Sequence, residues 1–487
     1  MTHDFDQPEI KTQESLETIN FSNPGELVLS QIGVNPVISC SNEISLWEFA
    51  HYEAIKNWSM YKPKSNASDL EKVKHYLNIF HHLCELEAWE KSCILIRLTI
   101  PTTKELHEQL GIWGYYNEQI ELYSRILNKL NLDLDCVWLN GLGNAYAHLG
   151  KTILAIDCYT KQLNIARKIN NQKVESLAHN GLGWVYINCT EESDKALFHY
   201  QQQLKISREI GDQLIEGQAL SGLGSIYNMI SIANYQLSIQ YHKKSLAVAQ
   251  EINDPSIEYN ALNGIAANYI NMGEPNQGIK YIQLQLNIVD KNCENYQLCN
   301  TLNNLASTYI LLEDYDNAVK SLQKVLQIIK ANSNKQLEAQ ALHTLGCLYI
   351  YVDKQYKEAI NCFNSALIIN NQIGNRLYAY MNRLNLAYCY GCLKEHQKAI
   401  AESQQVIVFA NETRNKHLQG LALAMLANTY WHQGWHQGKC IWGLLLIVRS
   451  MLIIPPWKTA NSKLTLKITI RTISQTLCQL FNQNWLK

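Results

Sequence analysis

Between Leu139 and Tyr430 the order of apolar and polar positions repeats with a period near forty. "LNGLGNAY" ending at Tyr146 returns as "HNGLGWVY" at Tyr186, "LSGLGSIY" at Tyr227 and "LNGIAANY" at Tyr269. It continues as "LNNLASTY" at Tyr309, "LHTLGCLY" at Tyr349, "RLNLAYCY" at Tyr390 and "LAMLANTY" at Tyr430. In each copy an apolar residue stands four before the Tyr and usually another seven before, with Gly or Ala three before. At about 100° per residue these positions form one stripe, which predicts an amphipathic helix, here called helix A. A small residue follows nine to eleven positions past the Tyr: Ala155, Ala196, Ser238, Gly278, Ala318, Ala359 and Ala399. Eight further on stands Leu or Ile, from Leu163 to Ile407. Small residues where two helices cross closely, with a large apolar one two turns later, predict a second helix, B, closing a hairpin.

Punctuation between the helices agrees. Asn170, Gly211, Asn253 and Gly374 fall at the predicted ends of helix B and are residue types that tolerate a left-handed C-cap. Asp254-Pro255 predicts an N-cap followed by proline in the first turn of the next helix A. Upstream, Leu110, Gln119, Tyr123 and Leu127 keep the offsets of a weaker copy, and a more degenerate one centres on Leu83 and Ser92. Ser68 and Glu71 predict a capping box at the start of one of these helices. With Pro8, Pro24 and Pro36, residues 1–45 read as a flexible lead.

The small residues of "LG..Y" and the later "A...Y...L" resemble the tetratricopeptide repeat signature. The roughly 40-residue period with "GLGNAY" is similar to the Leu-Gly-Asn subclass, whose members occur in animal regulators of G-protein signalling, kinesin light chains and bacterial signalling proteins. WD40, armadillo and HEAT repeats have comparable periods, but the Gly-His and Trp-Asp signals and a third helix are missing. The resemblance implies an all-α fold, a right-handed α-solenoid of stacked helix-turn-helix repeats with a C-terminal capping segment. Its divisions are the lead at 1–45, a helical region with degenerate repeats at 46–135, eight repeats at 136–450 and a tail or cap at 451–487.

Charge narrows the partners. None of the 43 acidic residues follows Glu412, whereas nine of the 42 basic ones do. Residues 1–412 are therefore ten charges negative, an unlikely surface for nucleic acid, which needs a basic stripe. The tail is basic and alternates over Leu464, Leu466, Ile468 and Ile470. It reads as a cap, with attachment to an anionic membrane as a second role. The N-terminus lacks a secretory pattern, the fourteen cysteines lack a disulfide framework, and the apolar run Ile441 to Ile454 is interrupted and too short to span a bilayer. A cytoplasmic location is expected.

Several stretches imitate chemistry. "AYAHLGKT", residues 145–152, fits a relaxed phosphate-loop pattern, but the repeat places it across a helix A end and a helix B start, where no strand precedes it. His432, His436 and Cys440 have ligand-like spacing, yet the register puts Gly434 at a helix end between them, and a fourth ligand is lacking. Cys389 and Cys392 form a CxxC near the end of a helix rather than at its start, so packing thiols are expected, and the histidines of "FHHLC" at 80–84 point apart. No catalytic, cofactor or metal site is expected.

Helix A faces line the concave side of repeat solenoids, where partners bind. The positions nine, six and two before the Tyr and one after it lie opposite the packing stripe. Six before stand Asn140, Asn180, Ser221, Asn263, Asn303 and His343, then Leu384 and Ala424. Nine before stand Gln218, Asn260, Asn300 and Gln340, and two before stand Asn144 and Trp184. A carboxamide both donates and accepts, as a peptide bond does, so this ladder is expected to hold an extended chain by its backbone. The resemblance supports such use of asparagine. Trp184, Tyr388 and Trp431 are candidate apolar anchors, and the absence of Lys and Arg argues against a carboxylate clamp. The expected function is a non-catalytic adaptor binding a peptide or protein partner. The alternative is a sensor repeat protein acting on a separate peptidase or nucleotide-dependent effector.

Overall fold

A computed structural model describes residues 24–34, 44–64, 67–100, 104–187, 192–229, 234–292, 295–332, 335–352, 354–412 and 416–432. Among them the backbone is helical throughout, apart from turns and a single β-bridge between Thr99 and Glu105. The chain divides into two units, residues 1–107 and 108–487.

The first unit contains α1 (Pro24–Gln31), α2 (Leu46–Ser59), α3 (Asp69–Glu85) and α4 (Trp89–Ile96). Pro24–Gln31 corrects the reading of 1–45 as a flexible lead. Val28 and Leu29 on this helix, with Ile32 just beyond it, are buried, and an apolar face of that kind orders a segment against its neighbours. Helices α3 and α4 are the degenerate hairpin, with Leu83 and Ser92 fully buried where it crosses. The complete capping box is at Ser45, which accepts from the Glu48 amide at 3.1 Å while its own amide donates to Glu48 Oε2 at 2.9 Å. At Ser68 the hydroxyl accepts from the Glu71 amide at 3.3 Å, but the Glu71 carboxylate accepts from the Tyr61 hydroxyl instead of turning back to the cap.

The second unit is the solenoid. Helix α5 (Leu106–Trp113), whose first residues precede the unit boundary, pairs with α6 (Tyr116–Ile126) in the weaker copy. The regular hairpins are α7 (Leu132–His148) with α8 (Thr152–Lys168), α9 (Gln172–Val185) with α10 (Ser193–Glu209), and α11 (Gln213–Met229) with α12 (Tyr235–Glu251). They continue as α13 (Pro255–Asn271) with α14 (Pro275–Asn292), α15 (Asn295–Leu311) with α16 (Tyr315–Asn332), and α17 (Lys335–Val352) with α18 (Tyr356–Gln372). The last are α19 (Arg376–Cys392) with α20 (His396–Glu412), followed by α21 (Lys416–His432). Odd-numbered helices from α7 are helices A. Successive helices A touch one another, as α7 does α9 and α15 does α17, whereas among the described residues no successive helices B pack comparably. Helices A therefore line the inside of the curve.

Each boundary has a local cause. Asn170, Gly211, Asn253 and Gly374 all have positive φ, as their residue types predicted. Helices A begin at an Asn or Asp whose side chain accepts the amide three residues on: Asn131 from Leu134 at 2.9 Å, Asn171 from Val174 at 3.1 Å, Asp212 from Ile215 at 3.1 Å and Asp254 from Ile257 at 2.8 Å. Removing one such cap should cost about 1 kcal/mol. Asp254→Ala is thus expected to lower the urea midpoint modestly and to speed hydrogen exchange in the first turn of α13 alone. Unchanged exchange there would show that Pro255 and packing set this terminus without the cap.

The packing unit is an aromatic ring between two glycines. Tyr159 on α8 lies against Gly143 of its own helix A and Gly181 of the next. Tyr200 on α10 lies likewise against Gly183 and Gly222, and His242 on α12 against Gly224 and Gly264. A Cβ on Gly143 would stand 2.6 Å from Tyr159 Cζ, and one on Gly183 2.8 Å from Tyr200 Cε2, so only hydrogen fits. Where the wedge is aliphatic, Ile282 or Leu322, its own helix A carries Ala266 or Ala306 in place of glycine and the next carries Asn304 or Thr344; Phe363 keeps Gly346 on its own helix A, with Asn385 on the next. The "GLG" of the early repeats is thus the imprint of the ring on either side.

The curve returns on itself within this unit. A Cβ on Gly114, in the α5–α6 turn, would lie 3.6 Å from Ile373 Cβ; one on Gly150, in the α7–α8 turn, 3.9 Å from Phe409; and one on Gly374 would overlap Leu149. Turns at the edge of the first hairpins therefore abut α18 to α20.

Candidate concave binding face

The predicted groove positions separate into an open set and a covered set. Asn144 and Asn260 are exposed, and Asn140, Asn180, Trp184, Gln218, Ser221, Asn263, Asn300 and Gln340 are partly open. Asn303 and His343 retain only 2% and 1% of their accessible surface, and Leu384 and Ala424 are also buried at the same register position. The expectation of one continuous exposed amide row through α17 is corrected accordingly: a helical wheel gives a direction, and the approach of the next helix decides whether that direction meets solvent.

Neighbouring groups hold the open amides in place. Asn144 Oδ1 accepts the Tyr159 hydroxyl at 2.7 Å, which ties the groove to the aromatic wedge behind it. Asn180 Nδ2 donates to Gln203 Oε1 at 3.3 Å, and Asn304 Nδ2 donates to Asn263 Oδ1 at 3.4 Å, both long contacts that an incoming group can compete with. Asn271 Nδ2 donates to Asn228 Oδ1 at 3.0 Å, linking α13 to α11. Of the expected anchors, Trp184 is accessible and packs 5.6 Å from the His148 ring, which stacks on Tyr116 at 4.7 Å. Tyr388 is buried and so is no anchor, and the side chain of Trp431 lies outside the described residues.

Two departures from the apolar position seven before the Tyr carry polar pairs between helices A and B. His179 Nδ1 lies 2.8 Å from His199 Nδ1, and Arg383 donates to Glu402 at 2.6 Å. Burial pushes both histidines down to about 4.

The imitations of chemistry fall where the register put them. Residues 145–148 end α7, Thr152 begins α8, and Lys151 stands in the turn with its ammonium 5.8 Å from the Tyr146 ring, so a helix and not a strand leads into that turn. Cys389 is buried, which holds its thiol well above the ordinary value, and Cys392 is exposed. His82 faces His51, with Nδ1 atoms 3.0 Å apart, while His81 stays exposed. Among the described residues no three His, Cys, Asp or Glu side chains are grouped to hold a metal ion, and no helix is long and apolar enough to cross a membrane. The His432 side chain, His436, Cys440, the run 441–454 and the tail 451–487 lie outside the described residues.

The sequence profile of the tetratricopeptide repeat family matches residues 133–209, 257–328 and 297–372. No curated protein matches the chain. Among solved structures it is similar to the apo form of the quorum sensor NprR from B. thuringiensis, at 15% identity over 78% of this chain and 99% of that one, with a TM-score of 0.46. It is similar also to aspartyl phosphate phosphatase F from Bacillus subtilis, at 12% identity over 73% and 97%, with a TM-score of 0.46. A signal transduction ATPase with a tetratricopeptide repeat sensor from Pyrococcus horikoshii aligns at 15% identity over 84% and 66%, with a TM-score of 0.43. Identities and scores of this size leave the assignment to the profile and to the helix pairs themselves. With hairpins of about forty residues stacked from α7 to α20, each with its small-residue crossing and anchoring Tyr, the residues that the profile matches, 133–209 and 257–372, are tetratricopeptide repeats.

Proposed function

We propose that this protein is a non-catalytic adaptor or sensor that holds an extended peptide, or an extended segment of a protein partner, against the inner face of α7 to α15. The observation that carries the reading is chemical uniformity at one register position. Asn140, Asn180, Ser221 and Asn263 follow one another on four successive helices A, each partly open, flanked by Gln218, Asn260 and Asn300, with no charged side chain among them. A row of neutral groups that both donate and accept matches the alternating N–H and C=O of an extended backbone. It offers nothing specific to phosphates or carboxylates. Trp184 beside His148 supplies an apolar contact at one end of the row.

Each amide should contribute about 1 kcal/mol, the net worth of a neutral hydrogen bond. A triple variant, Gln218→Ala with Asn260→Ala and Asn263→Ala, is therefore expected to weaken a contact about a hundredfold or more while leaving helicity and melting temperature unchanged. Affinity capture from native lysate, wild type against triple variant, is the test. A partner retained by wild type and lost by the variant supports the reading; equal capture of every partner sinks it.

A further inference from the structure

Cys389 and Cys392, the CxxC at the end of α19, have opposite settings. Cys392 is the one exposed cysteine among the described residues, while Cys389, one turn back on the same helix, is fully buried. At the start of α18 the Tyr356 hydroxyl donates to the Cys392 sulfur and accepts from Tyr388. A donor of this kind favours the thiolate, the form that attacks, at a helix C-terminus that otherwise disfavours negative charge.

The turn between them permits closure. Residues three apart in an α-helix have Cα atoms about 5 Å apart, inside the roughly 4.4–6.8 Å that a disulfide spans. Their Cβ atoms, about 5–6 Å apart, must approach by about 1 Å or more, so the turn has to tighten. This is the last turn of α19. The Leu393 amide donates to the Cys389 carbonyl at 3.0 Å, Lys394 follows with a φ of 62°, and Gly391, between the two cysteines, has open space where a side chain would stand. A terminal turn that contains glycine yields more readily than a helix interior. Cys347, the other cysteine near Cys389, is itself fully buried, and its sulfur accepts from Asn385 Nδ2 at 3.7 Å. Cys389 therefore meets an oxidant only through Cys392.

We propose that Cys389 and Cys392 are a redox-modification site, in which a low-molecular-weight disulfide oxidises the exposed thiol and the buried one closes an intrahelical disulfide. With glutathione disulfide, the Cys392 thiolate attacks one sulfur, the S–S bond breaks, a mixed disulfide forms, and glutathione leaves with the proton that Cys392 gave up. Cys389 then loses its proton to solvent and attacks the Cys392 sulfur, expelling the second glutathione thiolate, which takes up a proton. Two protein thiols are oxidised and one glutathione disulfide is reduced to two thiols. Burial holds the Cys389 thiol well above its ordinary value, which slows the second step but also makes Cys389 a poor leaving group when glutathione attacks the exposed sulfur in reverse. The closed form thus persists once made, and it withdraws the Cys392 sulfur from Tyr356 on the neighbouring helix.

The test incubates the folded full chain in glutathione buffers of rising disulfide fraction, quenches with acid, alkylates the unfolded chain and digests it with trypsin. Cleavage after Arg383 and Lys394 isolates residues 384–394, which hold Cys389 and Cys392 and no other cysteine. The wild-type peptide is expected unalkylated and two hydrogens lighter, with little glutathione adduct. Cys389→Ala should stop at the adduct on Cys392, at least about tenfold more of it than in wild type, because the intramolecular step is gone. Alanine already occupies this register position at Ala145, so the variant should fold with an unchanged helical spectrum. In Cys392→Ser, Cys389 should remain a thiol in every buffer. Both cysteines recovered alkylated throughout, an adduct level in wild type equal to that in Cys389→Ala, or a link from Cys389 to Cys347 in place of Cys392 each overturns the site.

Discussion

Replacing Tyr159 with alanine is expected to cost the solenoid about 3–5 kcal/mol, the range for deleting a large, fully buried aromatic ring. The ring has no accessible surface, fills the space between Gly143 and Gly181, and donates its hydroxyl to Asn144. Alanine leaves that space empty because its walls are two helix backbones brought together by glycine, and backbones relax less readily than side chains. Repeat arrays couple through nearest neighbours, so the loss should appear as early urea unfolding and fast hydrogen exchange centred on α7 to α9. The reverse substitution tests the same interlock. Gly181→Ala improves helix propensity by nearly 1 kcal/mol, yet it drives a methyl into the Tyr159 ring and should be net destabilising by about 1–3 kcal/mol. Joined with Tyr159→Leu it should cost less than the two single changes added together, since aliphatic wedges elsewhere in the chain face side chains larger than glycine. A neutral Gly181→Ala, or strict additivity, would disprove the ring-and-glycine account.

The repeat was legible because its signals are short-range. The stripe at four and seven before the Tyr, the small crossing residue and the left-handed helix ends at Asn170, Gly211, Asn253 and Gly374 each follow from one helix or one turn. The glycine three before the Tyr belongs to the stripe by position, but its cause is a ring on another helix, Tyr159 for Gly143. The sequence already contains that correlation. Aromatic residues or His at 159, 200, 242 and 363 follow glycines at 143, 183, 224 and 346, while Ile282 and Leu322 follow Ala266 and Ala306. The Asn or Asp fifteen before the Tyr at 131, 171, 212, 254 and 375 is a cap signal of the same short range, made plainest at Asp254 by the proline that follows it.

The candidate site was legible in direction but not in depth. Position six before the Tyr points to the inner face throughout, so Asn180 and Asn303 look alike in sequence. They differ because surroundings set by the third dimension leave one partly open and the other covered. His343 shows the mechanism: Asn382 and the Phe363 ring, 39 and 20 residues further on, close around it. The same geometry turns a row expected to be exposed into an open stretch and a closed one, a division that a helical wheel cannot supply.

Acidification is expected to destabilise the solenoid steeply between about pH 6.5 and 4, and His242 should account for a large share. It occupies the wedge slot that Tyr159, Tyr200 and Phe363 fill elsewhere, is 2% exposed, and its Nδ1 has no hydrogen-bond partner. Burial therefore pushes it down from 6.5 to about 4. The sign follows. In that window the unfolded chain binds a proton that the folded chain refuses, so stability is fully present above the unfolded value and is lost as pH falls toward the folded one. A displacement of roughly two and a half units corresponds to about 3 kcal/mol for this residue alone. The His179–His199 pair, lowered for the same reason, adds to the slope in the same direction. Phenylalanine already fits against glycine in this slot at Phe363 and Gly346, so His242→Phe should fold. At pH 8, where His242 is neutral in both states, the variant should match or slightly exceed wild type in urea midpoint. At pH 5 it should be more stable by about 2 kcal/mol, because it no longer has a proton to take up on unfolding. If the two proteins lose stability in parallel between pH 8 and pH 5, His242 titrates alike folded and unfolded, and the tight seat between Gly224 and Gly264 is not the cause of the acid sensitivity.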